Sequence, residues 1–82
     1  MNKKKFLQKI LNNQKNIGYN DFVSLIEAFG FCRARSEGSH TIFKNPNVNE
    51  IINLQNVNGE AKPYQIKQFL QLIEKYNLEL ED

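Results

Sequence analysis

A chain of 82 residues with a formal charge of +2 and 40% apolar residues is one domain at most. At this size it can bury about 60–65% of its unfolded surface, and it has no run near the roughly 20 apolar residues that cross a bilayer. One cysteine, Cys32, rules out an internal disulfide and any cysteine-based zinc cluster, and it suits a reducing cytoplasm.

Charge is uneven along the chain. All eleven Lys and Arg lie within residues 1–76 together with six of the nine acids, whereas Glu79, Glu81 and Asp82 form an acidic tail. A modestly basic body attracts polyanions weakly, and ordinary solubility explains the same charge. The start, Met1 to Lys5, is basic but is followed by no apolar core, so it reads as no secretory signal.

Lys3 to Asn12 puts Phe6, Leu7, Ile10 and Leu11 on one helical stripe, and residues 12–18 are turn formers. Asn20 is the expected N-cap of a second helix, with Asp21 in its first turn. Phe22, Leu25, Ile26 and Phe29 form its buried face, and Gly30 is placed to end it in the left-handed conformation.

The period then changes from helix to strand. Phe31 to Arg35 alternates, which predicts a strand with Arg33 and Arg35 on the same face and Cys32 as buried packing rather than a nucleophile. Glu37-Gly38 is the expected hairpin turn, Ser39 to Lys44 the second strand and Asn45-Pro46-Asn47 a turn. Glu50 to Asn56 reads as a third strand with Ile52 and Leu54 inward, and Asn58-Gly59 as another turn. Pro63 suits the first position of a last helix, whose core face is Ile66, Phe69, Leu70, Ile73 and Tyr76. Beyond Asn77 the acidic tail is expected to fray.

The order α-α-β-β-β-α gives an α+β fold, a three-stranded antiparallel sheet with helices on one face. One domain spans 1–82: an extra N-terminal helix and turn (1–18), a core (19–76) and the tail (77–82). If Phe43 is the core residue of the second strand, His40, Ile42 and Lys44 lie on the open face; a slip of one residue would reverse this.

His40 is the one histidine, in the segment Gly38-Ser39-His40-Thr41-Ile42-Phe43. Imidazole, with an ordinary pKa of about 6.5, both takes and gives protons near neutrality. A lone histidine near a turn is, by itself, more often a plain surface residue. The segment Gly38 to Pro46, a following short strand and a helix opening Lys62-Pro63-Tyr64-Gln65-Ile66 together resemble the HicA family of bacterial toxins. The resemblance covers roughly Asp21 to Tyr76, and is expected to extend over the N-terminal helix, as in longer members of that family. It implies a double-stranded-RNA-binding-domain-like fold and an mRNA interferase held inactive by a HicB-type antitoxin, with the family's functional histidine falling on His40. Many members carry a second histidine next to it, where this chain has Thr41.

RNA can be cut without metal when its 2′-hydroxyl attacks the adjacent phosphorus. That needs a base, an acid for the leaving 5′-oxygen and positive charge near the phosphoryl oxygens. His40 supplies the base. Ser39 can orient hydroxyl or phosphate, and Lys44, Arg33 and Arg35 can neutralise charge, arginine best because its planar fork pairs with phosphate oxygens. Lys3 to Lys5, Lys62 and Lys67 read as solvated surface. The carboxylates are scattered and no cluster has metal-ligand spacing, so no cofactor or metal is expected. Two other readings stand beside the nuclease: a non-catalytic RNA-binding module of the same fold, and a protein-interaction domain.

Overall fold

The computed structural model describes residues 2–81, so Met1 and, from the tail, Asp82 lie outside the described residues. The elements run α1 (Lys3–Asn12), β1 (Ile17–Gly18), α2 (Tyr19–Ala28), β2 (Cys32–Glu37), β3 (His40–Lys44), β4 (Ile52–Gln55), β5 (Glu60–Ala61) and α3 (Pro63–Tyr76). The fold is α+β, and the expected α-α-β-β-β-α order is its frame. β2, β3 and β4 form one antiparallel sheet in that order.

Two short strands add a detail that periodicity does not carry. β1 pairs with β5, Ile17 opposite Ala61 and Gly18 opposite Glu60. This pairing fixes where α2 begins. The amide of Tyr19 donates to the Gly59 carbonyl at 2.8 Å, so the helix starts at Tyr19 with Gly18 as N-cap, and Asn20 lies inside the helix rather than capping it. The turn before β5 has Asn58 and Gly59 both at positive φ, 54° and 81°, with Val57 and Glu60 exchanging backbone hydrogen bonds. Two left-handed residues in a two-residue loop make a type I′ turn, whose twist matches a hairpin.

The core lies between the helices and one face of the sheet. Phe22, Phe29 and Phe31 each pack edge-on to Phe69 with ring centroids 5.4–6.0 Å apart, the arrangement that aromatic quadrupoles favour. Phe43, Ile52 and Leu54 are buried from the sheet side, and Ile10, Leu25, Ile26 and Ile66 from the helices. In α1 the stripe is narrower than its sequence suggests: Phe6 and Ile10 are buried, but Leu11 is 56% exposed.

The tail does not fray. Asn77, at φ 53°, ends α3 in the left-handed conformation, and the amide of Leu78 returns to the Ile73 carbonyl at 3.0 Å. Leu78 and Leu80 then pack against the core, and the Glu81 amide donates to the Ala28 carbonyl at 2.7 Å. The alternation of Leu78 and Leu80 between acids lets the tail be apolar on one side while its carboxylates stay in water.

Candidate active site

β3 carries its residues in strict alternation. Thr41 and Phe43 are buried; His40 and Lys44 are exposed and Ile42 is half-buried. Phe43 sets this register because its ring is fully buried in the core. His40 therefore stands on the open face, at the mouth of the β2–β3 hairpin. The hairpin loop is Gly38-Ser39, one residue later than expected, since Glu37 and His40 pair as its last rungs. Gly38 has φ 57° and Ser39 does not share the positive sign, which is the type II′ pattern with glycine first.

The two arginines part company. Arg33 pairs with Phe43 and Arg35 with Ile42, so one extra residue, Ala34, bulges between them. The bulge reverses the alternation. Cross-strand partners share a face, so Arg35 joins Ile42 and His40, whereas Arg33 turns to the core side with its guanidinium carbon 5.9 Å from the centre of the Phe43 ring. The expectation that both arginines lie on the same face is thus corrected. Cys32 is also corrected: it is exposed, opposite Lys44, not buried. Lys44 shares the open face, but four residues at about 3.3 Å each put it about 13 Å along the strand from His40, beside a different depression formed with Asn45, Pro46 and Val48.

β4 completes the site with two residues that the sequence did not flag. Asn53 lies opposite Ile42, and Gln55 opposite His40. The Asn53 side-chain oxygen is 3.1 Å from His40 Nδ1. An amide oxygen only accepts, so Nδ1–H donates, and Nε2 has no hydrogen-bond partner among the described residues. Gln55 Nε2 is 3.5 Å from the Ser39 hydroxyl, and the Asn56 amide donates to the Ser39 carbonyl at 3.0 Å, which ties the hairpin loop to the end of β4. The polar steps of Ile52-Asn53-Leu54-Gln55 were visible as an alternation; which residue faces His40 depends on the inter-strand register.

Arg35, Glu37, His40, Ile42 and Asn53 together line an open cavity of about 270 Å³. A larger one, about 450 Å³, lies between β4 and α3 over Ile52, Phe69 and Leu72. Its charged residues, Glu50 and Lys75, bond one another at 2.8 Å, and Tyr76 donates its hydroxyl to the same carboxylate at 2.8 Å. Those bonds from Lys75 and Tyr76 lower the pKa of Glu50, and the carboxylate raises the pKa values of Lys75 and Tyr76 in turn. That cluster is self-satisfied, whereas among the described residues the side chains lining the cavity beside His40 make one hydrogen bond, His40 to Asn53, and no ion pair. Among the described residues no three His, Cys, Asp or Glu side chains converge as a metal site.

The family model for the HicA toxin of bacterial toxin–antitoxin systems matches residues 19–74, well over half of the chain. The chain belongs to the HicA toxin family. Members of this family are the toxins of toxin–antitoxin pairs, generally acting by cutting mRNA and partnered by a HicB antitoxin. No curated protein and no solved structure matches the chain significantly. No helix among the described residues is long and apolar enough to cross a membrane. The matched region of this HicA chain starts at Tyr19, so it holds the whole hairpin and β4, and leaves α1 outside.

Proposed function

We propose that this HicA toxin is a metal-independent endoribonuclease that cuts mRNA through proton transfer at His40 Nε2. One observation carries the reading: His40 is exposed on the open sheet face, with Nδ1 held by Asn53 at 3.1 Å and Nε2 bonded to no partner among the described residues. The side-chain oxygen of Asn53 accepts from Nδ1–H whether the ring is neutral or charged. The imidazole therefore keeps its orientation through a cycle in which Nε2 gains and loses a proton.

Arg35 lies on the same face as His40 and supplies positive charge for the phosphoryl oxygens, with a planar fork suited to them. Ser39, held by Gln55, borders the site from the hairpin loop. Lys44 is too far along the strand to touch the same phosphate and instead meets RNA a nucleotide or more away. Arg33 is assigned no part in the chemistry. A HicB-type antitoxin silences the enzyme by covering this face, with half-buried Ile42 as its apolar anchor.

The test is cleavage of single-stranded RNA by the purified protein, with chelator present. His40→Ala is expected to abolish cleavage and growth inhibition while its unfolding transition stays unchanged. Asn53→Ala is expected to lower kcat about 10- to 100-fold, because the ring loses its orientation and not its proton. Full toxicity of His40→Ala would overturn the assignment. RNA retained without shortening by the wild type would instead favour the binding-module reading.

A further inference from the structure

The cavity beside His40 contains an acid. Glu37 is the cross-strand neighbour of His40, the two residues closing the hairpin from opposite sides on the open face, and both line the same cavity with Arg35 and Asn53. Directly opposed residues on a face have Cβ atoms about 4.5–5.5 Å apart, so a carboxylate and an imidazole can flank one ribose-phosphate linkage. A negative charge there opposes binding of a polyanion. For a surface that only holds RNA, Glu37 is a liability. For a surface that cuts RNA, it supplies what a single histidine lacks, a second proton-transfer group.

We propose that Glu37 is the general base of the cleavage step and His40 the general acid. The inference rests on the ribonuclease reading above and goes beyond it by dividing the proton transfers between two residues. The Glu37 carboxylate takes the proton of the ribose 2′-hydroxyl as the 2′-oxygen bonds to phosphorus. His40, as the imidazolium, gives its Nε2 proton to the 5′-oxygen as the P–O5′ bond breaks. The products are a 2′,3′-cyclic phosphate and a free 5′-hydroxyl. Glu37 is then protonated and His40 neutral, and exchange with water restores both. Arg35, next to Glu37 on this face, lies where the phosphoryl oxygens carry charge through the step. The Asn53 side-chain oxygen accepts from Nδ1–H of the imidazolium as well as of the neutral ring, so this hydrogen bond fits an acid at Nε2.

The pH profile follows from the groups on that face. Its titratable and charged side chains are Cys32, Arg35, Glu37, His40 and Lys44, while the β4 residues facing the site, Asn53 and Gln55, are neutral. Cys32 and Lys44 pair at the far end of the strands. An ionised carboxylate working with a protonated imidazole gives a bell-shaped kcat/KM, rising as a carboxyl ionises and falling as an imidazole loses its proton. A lone histidine base gives the opposite alkaline side, a plateau.

The experiment compares wild type, Glu37→Gln, Glu37→Asp and His40→Ala on a single-stranded RNA oligonucleotide, and on the same oligonucleotide with the scissile 5′-oxygen replaced by sulfur. Thiolate leaves without protonation, so a variant lacking only the acid is rescued. Glu37→Gln is expected to lose about 10²- to 10⁴-fold in kcat with KM unchanged or lower, to lose the acid limb of the profile and to stay slow on the sulfur substrate. Glu37→Asp keeps part of the rate. His40→Ala regains cleavage on the sulfur substrate. Wild-type rates in Glu37→Gln, or no sulfur rescue of His40→Ala, overturn the division of roles while leaving the nuclease standing. An inert wild type overturns both readings together.

Discussion

Arg33 and Arg35 are separated by one alanine, yet the bulge at Ala34 sends one over the Phe43 ring and the other to the face of His40. The two guanidinium groups therefore stand in different surroundings. Arg35→Ala is expected to lower kcat for RNA cleavage by about 10²-fold, the scale of losing one donor that stabilises developing charge. Arg35→Lys recovers part of it, because a point charge replaces a fork. Arg33→Ala leaves kcat within a few-fold and costs stability by about 0.5–1 kcal/mol, the scale of an exposed cation–π contact. Steady-state kinetics on one RNA oligonucleotide, run beside urea denaturation, separates the two. Equal losses of kcat would place the reaction elsewhere than the open face. The bulge also marks the limit of alternation as a guide: Phe31 to Arg35 alternates in sequence, and nothing in those letters announces an extra residue. His40 was legible because a glycine turn and the following β-prone run fix its place on the strand. Asn53 and Glu37 were not, because their relation to His40 exists only once two strands are paired.

An edge strand leaves backbone groups open to any passing strand, and β4 lies at the edge of the main sheet. Gln65, in the first turn of α3, covers that edge. Its Nε2 donates to the Asn53 carbonyl at 3.2 Å, and its Oε1 accepts from the Gln55 amide at 3.5 Å. One amide side chain thus imitates the next strand over two residues. It is only 4% exposed although it is polar, which explains why the apolar stripe of α3 was readable from Ile66 onward while Gln65 was not. The helix itself was legible from Pro63, since a first-position proline and a repeating apolar face are local signals. β1 and β5, two residues each, were illegible for the opposite reason: their pairing is long-range and too short for a period. Replacing Gln65 by Leu keeps the volume and removes the clasp. The expected cost is about 1 kcal/mol, the scale of losing hydrogen bonds to part-buried backbone groups, read as a lower urea midpoint. The same variant is expected to cut more slowly, since the two clasped residues are Asn53, which holds His40, and Gln55, which holds Ser39. An unchanged midpoint would mean that water serves the edge equally well.

Across the whole molecule, the last residues close the structure on its middle. The amide of Glu81 reaches the end of α2 at the Ala28 carbonyl, close to Gly30, whose φ of 94° suits glycine and redirects the chain toward β2. Asn45 ties the same corner from the other side, its amide nitrogen donating to the Phe29 carbonyl at 3.1 Å and its oxygen accepting from Asn47 at 2.9 Å. The end of α2, the exit of β3 and the tail thus meet at one corner, on the opposite side of the sheet from the open face that bears His40. Composition gave the tail as acidic and therefore free; the placement of Leu78 and Leu80 overrides the charge, because two half-buried leucines outweigh the weak electrostatics of exposed carboxylates. Removing residues 78–82 is expected to cost about 1–3 kcal/mol of folding stability from the lost apolar burial. For a domain of this size that lowers the melting temperature by roughly 5–20 °C. The truncated protein is expected to cut RNA as the full chain does at temperatures where it is folded, because the described tail residues pack on the core and the end of α2 rather than among the residues lining the cavity. Melting curves and cleavage assays on the same preparation check both halves. An unshifted melting temperature would show the tail to be unattached in solution, and lost cleavage in a folded truncation would show that this corner reaches the site.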